Sequence, residues 1–298
     1  MQVRNRKRFI TSPVSLKSDE YNAFYIVIKR LMKNKVAMLG LVVFLLICFS
    51  CILSPLLTKW DYYSINAEHL RESPSLDHPF GTDSFGRDVL TRMLYGGRIT
   101  LRIAFASTII AACAGTFAGV ISGYFGKYAD LIVSPVLDIL DSVPVVVLAL
   151  VFEAVFGWGR GYFMYAIAIA SIPKFTQVVR GSVINAMENT FIEAARALGV
   201  SHFSIIYRHV LHNMISPLIV RFTIGVTEAI LTCTIMGYLS IGISPPTPEW
   251  GAMVYSSSVY VLTNPIMLII PCTVIAVSVI SLSFFCDGLR DALNLKER

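Results

Sequence analysis

Three stretches of this chain, residues 36–58, 103–126 and 251–286, contain no charged side chain. About 20 mostly apolar residues suffice to cross a bilayer as a helix, the form that satisfies its own backbone hydrogen bonds. The first two stretches each fit one crossing. The third is too long, so its first part reads as a loop ending near Asn264-Pro265, followed by a span over 265–285. Three weaker spans lie between: 130–156, which holds Asp138, Asp141 and Glu153; 161–179, apolar until Lys174; and 215–243, with Arg221 and Glu228. The expected fold class is therefore an all-α integral membrane protein with six transmembrane helices. Only 15% of the 298 residues are charged, against roughly 25% in soluble domains, which excludes an ordinary water-soluble globule and disorder. The net charge of +6 does not form a basic face interleaved with stacking aromatics, so nucleic acid is not an expected partner.

Orientation follows from the basic residues flanking the spans. Nine precede residue 36 (Arg4, Arg6, Lys7, Arg8, Lys17, Lys29, Arg30, Lys33 and Lys35), against Asp19 and Glu20 alone. The segment between the first two spans is balanced. The N-terminus is thus expected in the cytoplasm, and six spans put Arg290, Lys296 and Arg298 there too. The apolar run starts too late and is too long for a cleaved signal peptide. The expected organisation is a cytoplasmic tail (1–35), a first span (36–58), an external segment (59–98), a five-helix core (99–286) with a cytoplasmic loop at about 181–214, and a cytoplasmic tail (287–298).

The six cysteines (Cys48, Cys51, Cys113, Cys233, Cys272, Cys286) fall in or at the edges of spans, so no disulfide framework is expected. Cys48 and Cys51 read as small apolar residues one helical turn apart. His202, His209 and His212 lie on the cytoplasmic loop, where solvated or partner-facing roles outweigh metal binding. There is no G-x-x-x-x-G-K-[ST] phosphate loop: Gly126-Lys127 comes nearest, with Tyr128 following. If the chain drives active transport, the energy comes from a partner subunit or an ion gradient.

Residues 78–98 read as an external turn and helix. Gly81-Thr82-Asp83 is a turn in which Thr82 or Asp83 can cap a helix. Phe85, Val89, Leu90, Met93 and Leu94 share one face, with Arg87, Asp88 and Arg92 on the other. The pattern predicts an amphipathic interfacial helix ended by Gly96-Gly97, with Arg98 anchoring span two. The ordered string Phe80, Gly81, Thr82, Asp83, Gly86, Arg87, Asp88, Thr91, Arg92, Gly96, Arg98 resembles the segment before span two in the C-type inner-membrane permease subunit of dipeptide/oligopeptide-type ABC importers, the DppC/OppC family. Residues 31–40 resemble that family's entry to span one. Residues 244–251 (Ser-Pro-Pro-Thr-Pro-Glu-Trp-Gly) resemble its external P-P-x-P-x-W-G loop, where the prolines block helix and Trp250 suits the membrane interface. Residues 287–293 resemble its cytoplasmic tail.

On the cytoplasmic loop, residues 191–198 favour helix and Gly199 breaks it. Ser201 can cap a second short helix, on which Phe203, Ile206, Val210 and Leu211 form an apolar stripe. By pattern alone the stripe could lie on the inner leaflet, pack under its own bundle or dock on a partner. Glu193-Ala194-Ala195…Gly199 resembles the E-A-A-x-x-x-G motif of ABC importer permeases. The resemblance implies a coupling helix seated in a groove of an ATPase subunit, with Glu193, Ala194, Ala195 and Gly199 at its core and Ser201, Phe203 and Ile206 beside them. His212 stands where the family has proline.

Ionisable groups inside a span are costly and face a cavity or a partner. The candidates for the pathway are Glu228, Asp138, Asp141 and Arg221. The family's Arg three residues before Asp138 is Pro135 here, and its usual Glu in span five aligns with Cys233. The resemblance implies a permease subunit that is not itself an enzyme and binds no cofactor, with ATP and Mg used by two partner ATPase subunits. It further implies a second permease subunit, an extracytoplasmic solute-binding protein, surrounding membrane lipid, and a multi-pass location in a bacterial inner membrane. Dipeptides or oligopeptides are the expected cargo. A nickel or other metal complex, another small solute, or ion-coupled secondary transport are the alternatives.

Overall fold

The structure, a computed structural model, describes residues 16–158 and 161–293. Arg4, Arg6, Lys7, Arg8, Lys296 and Arg298, which carried part of the charge argument, lie outside the described residues. The described residues are helical, with one isolated β-bridge, Thr82 to Asp88, and no strand. The helices are α1 (Leu16–Lys33), α2 (Lys35–Ile52), α3 (Ser54–Leu57), α4 (Val89–Phe125), α5 (Lys127–Ser142), α6 (Val145–Phe156), α7 (Phe163–Met187), α8 (Thr190–Ala197), α9 (His202–Ile205), α10 (Leu211–Tyr238), α11 (Trp250–Ser258) and α12 (Ile266–Leu293). A π-helical turn, Ile206–Val210, joins α9 to α10.

Among the described residues, four helices are long and apolar enough to cross a membrane: α2, α4, α10 from Met214, and α12. The pair α5–α6 qualifies together but is bent by 87°. The expected span over 130–156 is therefore broken, at Val143-Pro144, where proline removes a backbone donor and disfavours helix in the residue before it. The expected span at 161–179 is a helix, α7, that runs on to Met187.

Several boundaries differ from the sequence reading, each for a local reason. Gly96-Gly97 does not end a helix, because α4 runs through it, 37 residues in all, about 55 Å. That exceeds the roughly 30 Å hydrocarbon core, so α4 is interfacial helix and span in one rod. Its N-cap is Asp88, whose carboxylate accepts from Thr91 N at 2.7 Å, rather than Thr82 or Asp83. Residues 251–258 form helix α11 instead of loop, capped by Glu249, which accepts from Ala252 N at 2.9 Å. The expected tail from 287 starts inside α12.

Two features set the packing. Gly115, Gly119 and Gly123 form a small-residue stripe on α4 against Phe175, Val179 and Val183 of α7. Without side chains there, the two backbones approach closely, as small residues permit between membrane helices. Gly97 faces Cys51 of α2 and Trp250 of α11: a Cβ would sit 2.5 Å from Cys51 Sγ and from Trp250 Cζ2. Trp250 is fully buried and donates from Nε1 to the Met93 carbonyl at 2.9 Å, so it is a core residue and not an interfacial one. Replacing Gly97 with Leu is expected to destabilise the subunit by about 1–3 kcal/mol through overpacking, read as a lower unfolding temperature in detergent. At the opposite end of α2, Ala37 meets Gly288 of α12. Cys51, Gly97 and Trp250 thus mark one end of the bundle, and Ala37, Gly288 and, by the run of α4, Tyr124 mark the other.

Candidate functional site

The residues of the external signature are not spread over a surface. Asp83 accepts from the backbone of Phe85 (2.8 Å) and Arg87 (3.0 Å) and pairs with Arg87 Nε at 2.7 Å and Arg92 Nε at 3.4 Å. Arg92 also donates to the carbonyls of Tyr62 (2.9 Å) and Pro246 (3.1 Å). Asp88, besides capping α4, accepts from the Thr91 hydroxyl at 2.7 Å and contacts His78 Nδ1 at 3.0 Å. Arg87, Asp88 and Arg92 are buried. Gly86 turns the chain between Asp83 and Arg87 with φ +74°. The polar face expected to meet water is an internal brace that ties segment 58–88 to α4 and to the proline loop. Arg98 stands apart, exposed. Behind the brace, burial pushes the Glu249 carboxyl up, against hydrogen bonds from Gly251, Ala252 and Thr100 that pull it down.

The loop after α7 folds as two short helices. Glu193 lies in the first turn of α8, where a carboxylate meets the positive end of the helix dipole. Gly199 follows α8 with φ +76°, and Ser201 caps α9, accepting from Ser204 N at 3.4 Å. The predicted apolar stripe is divided. Ile192, Ile205 and Val210 are fully buried with Val179, Val183 and Met214, whereas Phe203 and Tyr207 are 78% and 70% exposed. Ile206 and Leu211 are half-buried. The π turn winds more residues per turn than an α-helix, so positions that share an α-helical face no longer do so. What faces outward is Glu193, Ala194, Gly199, Leu198, Phe203 and Tyr207, with the Phe203 and Tyr207 rings parallel to within 5°; Ala195 is half-buried. Tyr124, at the end of α4, holds both short helices: its hydroxyl meets His202 Nδ1 at 2.7 Å, and the Arg196 guanidinium lies 5.5 Å from its ring centre. Arg180 of α7 forks onto Asp130 of α5 at 2.7 and 2.6 Å.

Of the charges expected inside spans, the structure brings two together and adds a third. Arg221 donates to both Glu228 oxygens, at 3.3 and 2.9 Å, and Lys174 of α7 reaches Glu228 Oε2 at 3.0 Å. Lys174 and Glu228 border a cleft of about 250 Å³ with Ser171, Thr232 and Val145. Lys174 was legible only as the end of an apolar run; its partner 54 residues away had no local signal. Asp138 and Asp141 are exposed on α5 and make no ion pair among the described residues. Glu153 is fully buried and accepts from Phe163 N at 3.2 Å, pinning the start of α7.

Known proteins place this geometry. Residues 115–298 match the family model described as binding-protein-dependent transport system inner membrane component, and residues 23–74 match the N-terminal TM domain of oligopeptide transport permease C. The chain belongs to this family of ABC importer permeases. It is 38% identical over 268 residues to a dipeptide transport system permease protein DppC of Alkalihalophilus pseudofirmus, covering 90% of this chain and 88% of that one. It is 34% identical over 269 residues to a glutathione transport system permease protein GsiD of Pectobacterium atrosepticum, covering 90% and 89%. Among solved structures it resembles the fold of the inward-facing MetNI methionine ABC transporter (TM-score 0.54, 19% identity, 65% of this chain and 93% of that one). An amino acid ABC transporter solved with histidines shows the same likeness (TM-score 0.51, 17% identity, 65% and 90%). The chain is accordingly a multi-pass inner-membrane permease of the DppC/OppC type, a transport subunit and not an enzyme, that works with other ABC components such as an ATPase and a binding protein.

Proposed function

We propose that this permease imports di- or oligopeptides as one half of a translocation pathway completed by a second permease subunit. Two ATPase subunits, which use ATP and Mg, supply the energy, and an extracytoplasmic solute-binding protein delivers the cargo; this chain binds no cofactor. It crosses the membrane six times, through α2, α4, the bent pair α5–α6, α7, α10 and α12, with both termini in the cytoplasm. The observation that carries the reading is the loop of α8 and α9. It presents an exposed apolar and acidic face at the end of the bundle that also holds the start of α2 and the end of α12. A helix-in-groove contact would bury that face. Dipeptide is the first cargo to test, because the relatives matching 90% of the chain are named for dipeptide and glutathione, itself a tripeptide.

The Lys174–Glu228–Arg221 cluster supports a pathway role for the face of α7 and α10 that bears it. Glu228 and Lys174 are 39% and 48% exposed in the isolated subunit, and lipid tails do not solvate such groups. That face therefore meets water or a partner subunit. Glu228→Gln leaves two cations without their counter-charge. The expected result in proteoliposomes containing the whole importer is a dipeptide uptake rate lowered by about tenfold or more, a loss of about 1.4 kcal/mol or more in transition-state terms, with the ATPase subunits still copurifying. Unchanged uptake removes the cluster from the pathway. ATP-dependent uptake by the wild type tests the reading as a whole; uptake that persists on an ion gradient after ATP depletion overturns it.

A further inference from the structure

A groove of about 430 Å³ runs between α2 and α4, walled by Phe44, Cys48, Ile52, Leu101 and Phe105 and bordered by two arginines, Arg98 and Arg102. The two arginines are four residues apart on one rod, so they stack on the same face one turn from each other. Both are exposed, and neither makes a hydrogen bond or ion pair among the described residues. The Asp83 carboxylate that serves Arg87 and Arg92 is committed to the brace.

The level of this groove in the bundle is set by packing. Gly97 of α4 lies against Cys51 of α2, so Arg98 is level with the last turn of the first span and Arg102 is one turn deeper. From Ile52 the wall descends eight residues to Phe44, about 12 Å along the helix. The apolar slot thus points into the membrane and its cationic mouth opens at the membrane surface. At that level the two long side chains reach the headgroup layer, where an anionic phosphate is the complementary partner for an unpaired guanidinium. The slot below needs an apolar filling, because lipid-facing clefts do not hold water without polar partners.

The geometry points to a bound anionic phospholipid, with one acyl chain laid between Phe44 and Phe105 and its phosphate held by Arg98 and Arg102. Guanidinium forks match phosphate oxygens in number and direction. The charge and the groove are each common on membrane proteins; their coincidence on two helices at one depth selects an amphiphile carrying a negative headgroup.

The test uses the intact importer purified in mild detergent and exchanged into mixed micelles of phosphatidylglycerol or phosphatidylcholine. Native mass spectrometry then counts retained lipid. One phosphatidylglycerol is expected per copy of this chain, with phosphatidylcholine not retained. Two interfacial arginines correspond to about a thirtyfold difference in affinity. Arg98→Gln with Arg102→Gln should release the lipid by that factor, whereas Arg98→Lys with Arg102→Lys should keep most of it, which separates lost charge from lost fold. Equal retention of the two lipids, or equal retention by the wild type and the glutamine pair, overturns the assignment. So does absence of any lipid from the intact complex, the outcome expected if the second permease subunit covers the groove.

Discussion

Glu193→Arg is expected to abolish ATP-driven uptake while leaving the subunit folded and in the membrane. Glu193 is exposed and makes no hydrogen bond or ion pair among the described residues, so nothing inside the bundle depends on it. Beyond a favourable contact with the α8 dipole, worth about 0.3–1 kcal/mol at an exposed site, its side chain matters to whatever meets α8. If that is the ATPase groove proposed above and it meets Glu193 with a cation, reversing the charge sets like charges together at a docking interface, which costs several kcal/mol and weakens docking about a hundredfold or more. The checks are dipeptide uptake in proteoliposomes and copurification of the ATPase subunits. Gly199→Arg makes an independent second probe. Its Cβ would meet nothing within 4 Å, but φ is +76°, so a side chain strains the link between α8 and α9 by roughly 1–2 kcal/mol. Normal uptake and normal assembly in both variants would remove the loop from coupling.

The transmembrane helices were legible because charge is scarce: residues 36–58 and 103–126 announce themselves, and so does the capping pattern around Ser201. What escaped was set by partners distant in sequence. Gly96-Gly97 carries the local signature of a helix end. It lies inside α4 because Trp250, more than 150 residues on, and Cys51 need the space a side chain would take. The alternating polar and apolar face of residues 85–94 has the period of an interfacial helix, yet its charged side is buried, since Tyr62 and Pro246 supply carbonyls to Arg92. The stripe Phe203–Ile206–Val210 assumed an α-helical period through Ile206–Val210, and a π turn changed it. Gly115, Gly119 and Gly123 went unread in the sequence, because a glycine every fourth residue acquires its meaning only from Phe175, Val179 and Val183 packed against it.

The same burial explains why Asp83→Ala should be among the most damaging single substitutions for stability, although Asp83 touches neither the coupling loop nor the intramembrane charges. The Arg87 and Arg92 side chains are 9% and 8% exposed and share the one carboxylate. Removing a single partner from a buried pair leaves uncompensated charge and typically costs 3–5 kcal/mol. Arg92 retains two carbonyl acceptors, which places the expected loss near the lower end, about 3 kcal/mol. Asp83→Asn keeps an acceptor for the backbone N–H groups of Phe85 and Arg87 and should fall between the wild type and alanine. The measurement is thermal unfolding of the detergent-solubilised subunit together with its folded yield in membranes. The protein that does fold should transport normally per molecule, because a brace holds α4 and the proline loop in place without meeting cargo. A variant with unchanged stability but a lower uptake rate per folded molecule would show instead that this buried network acts directly in receiving substrate at the outer face.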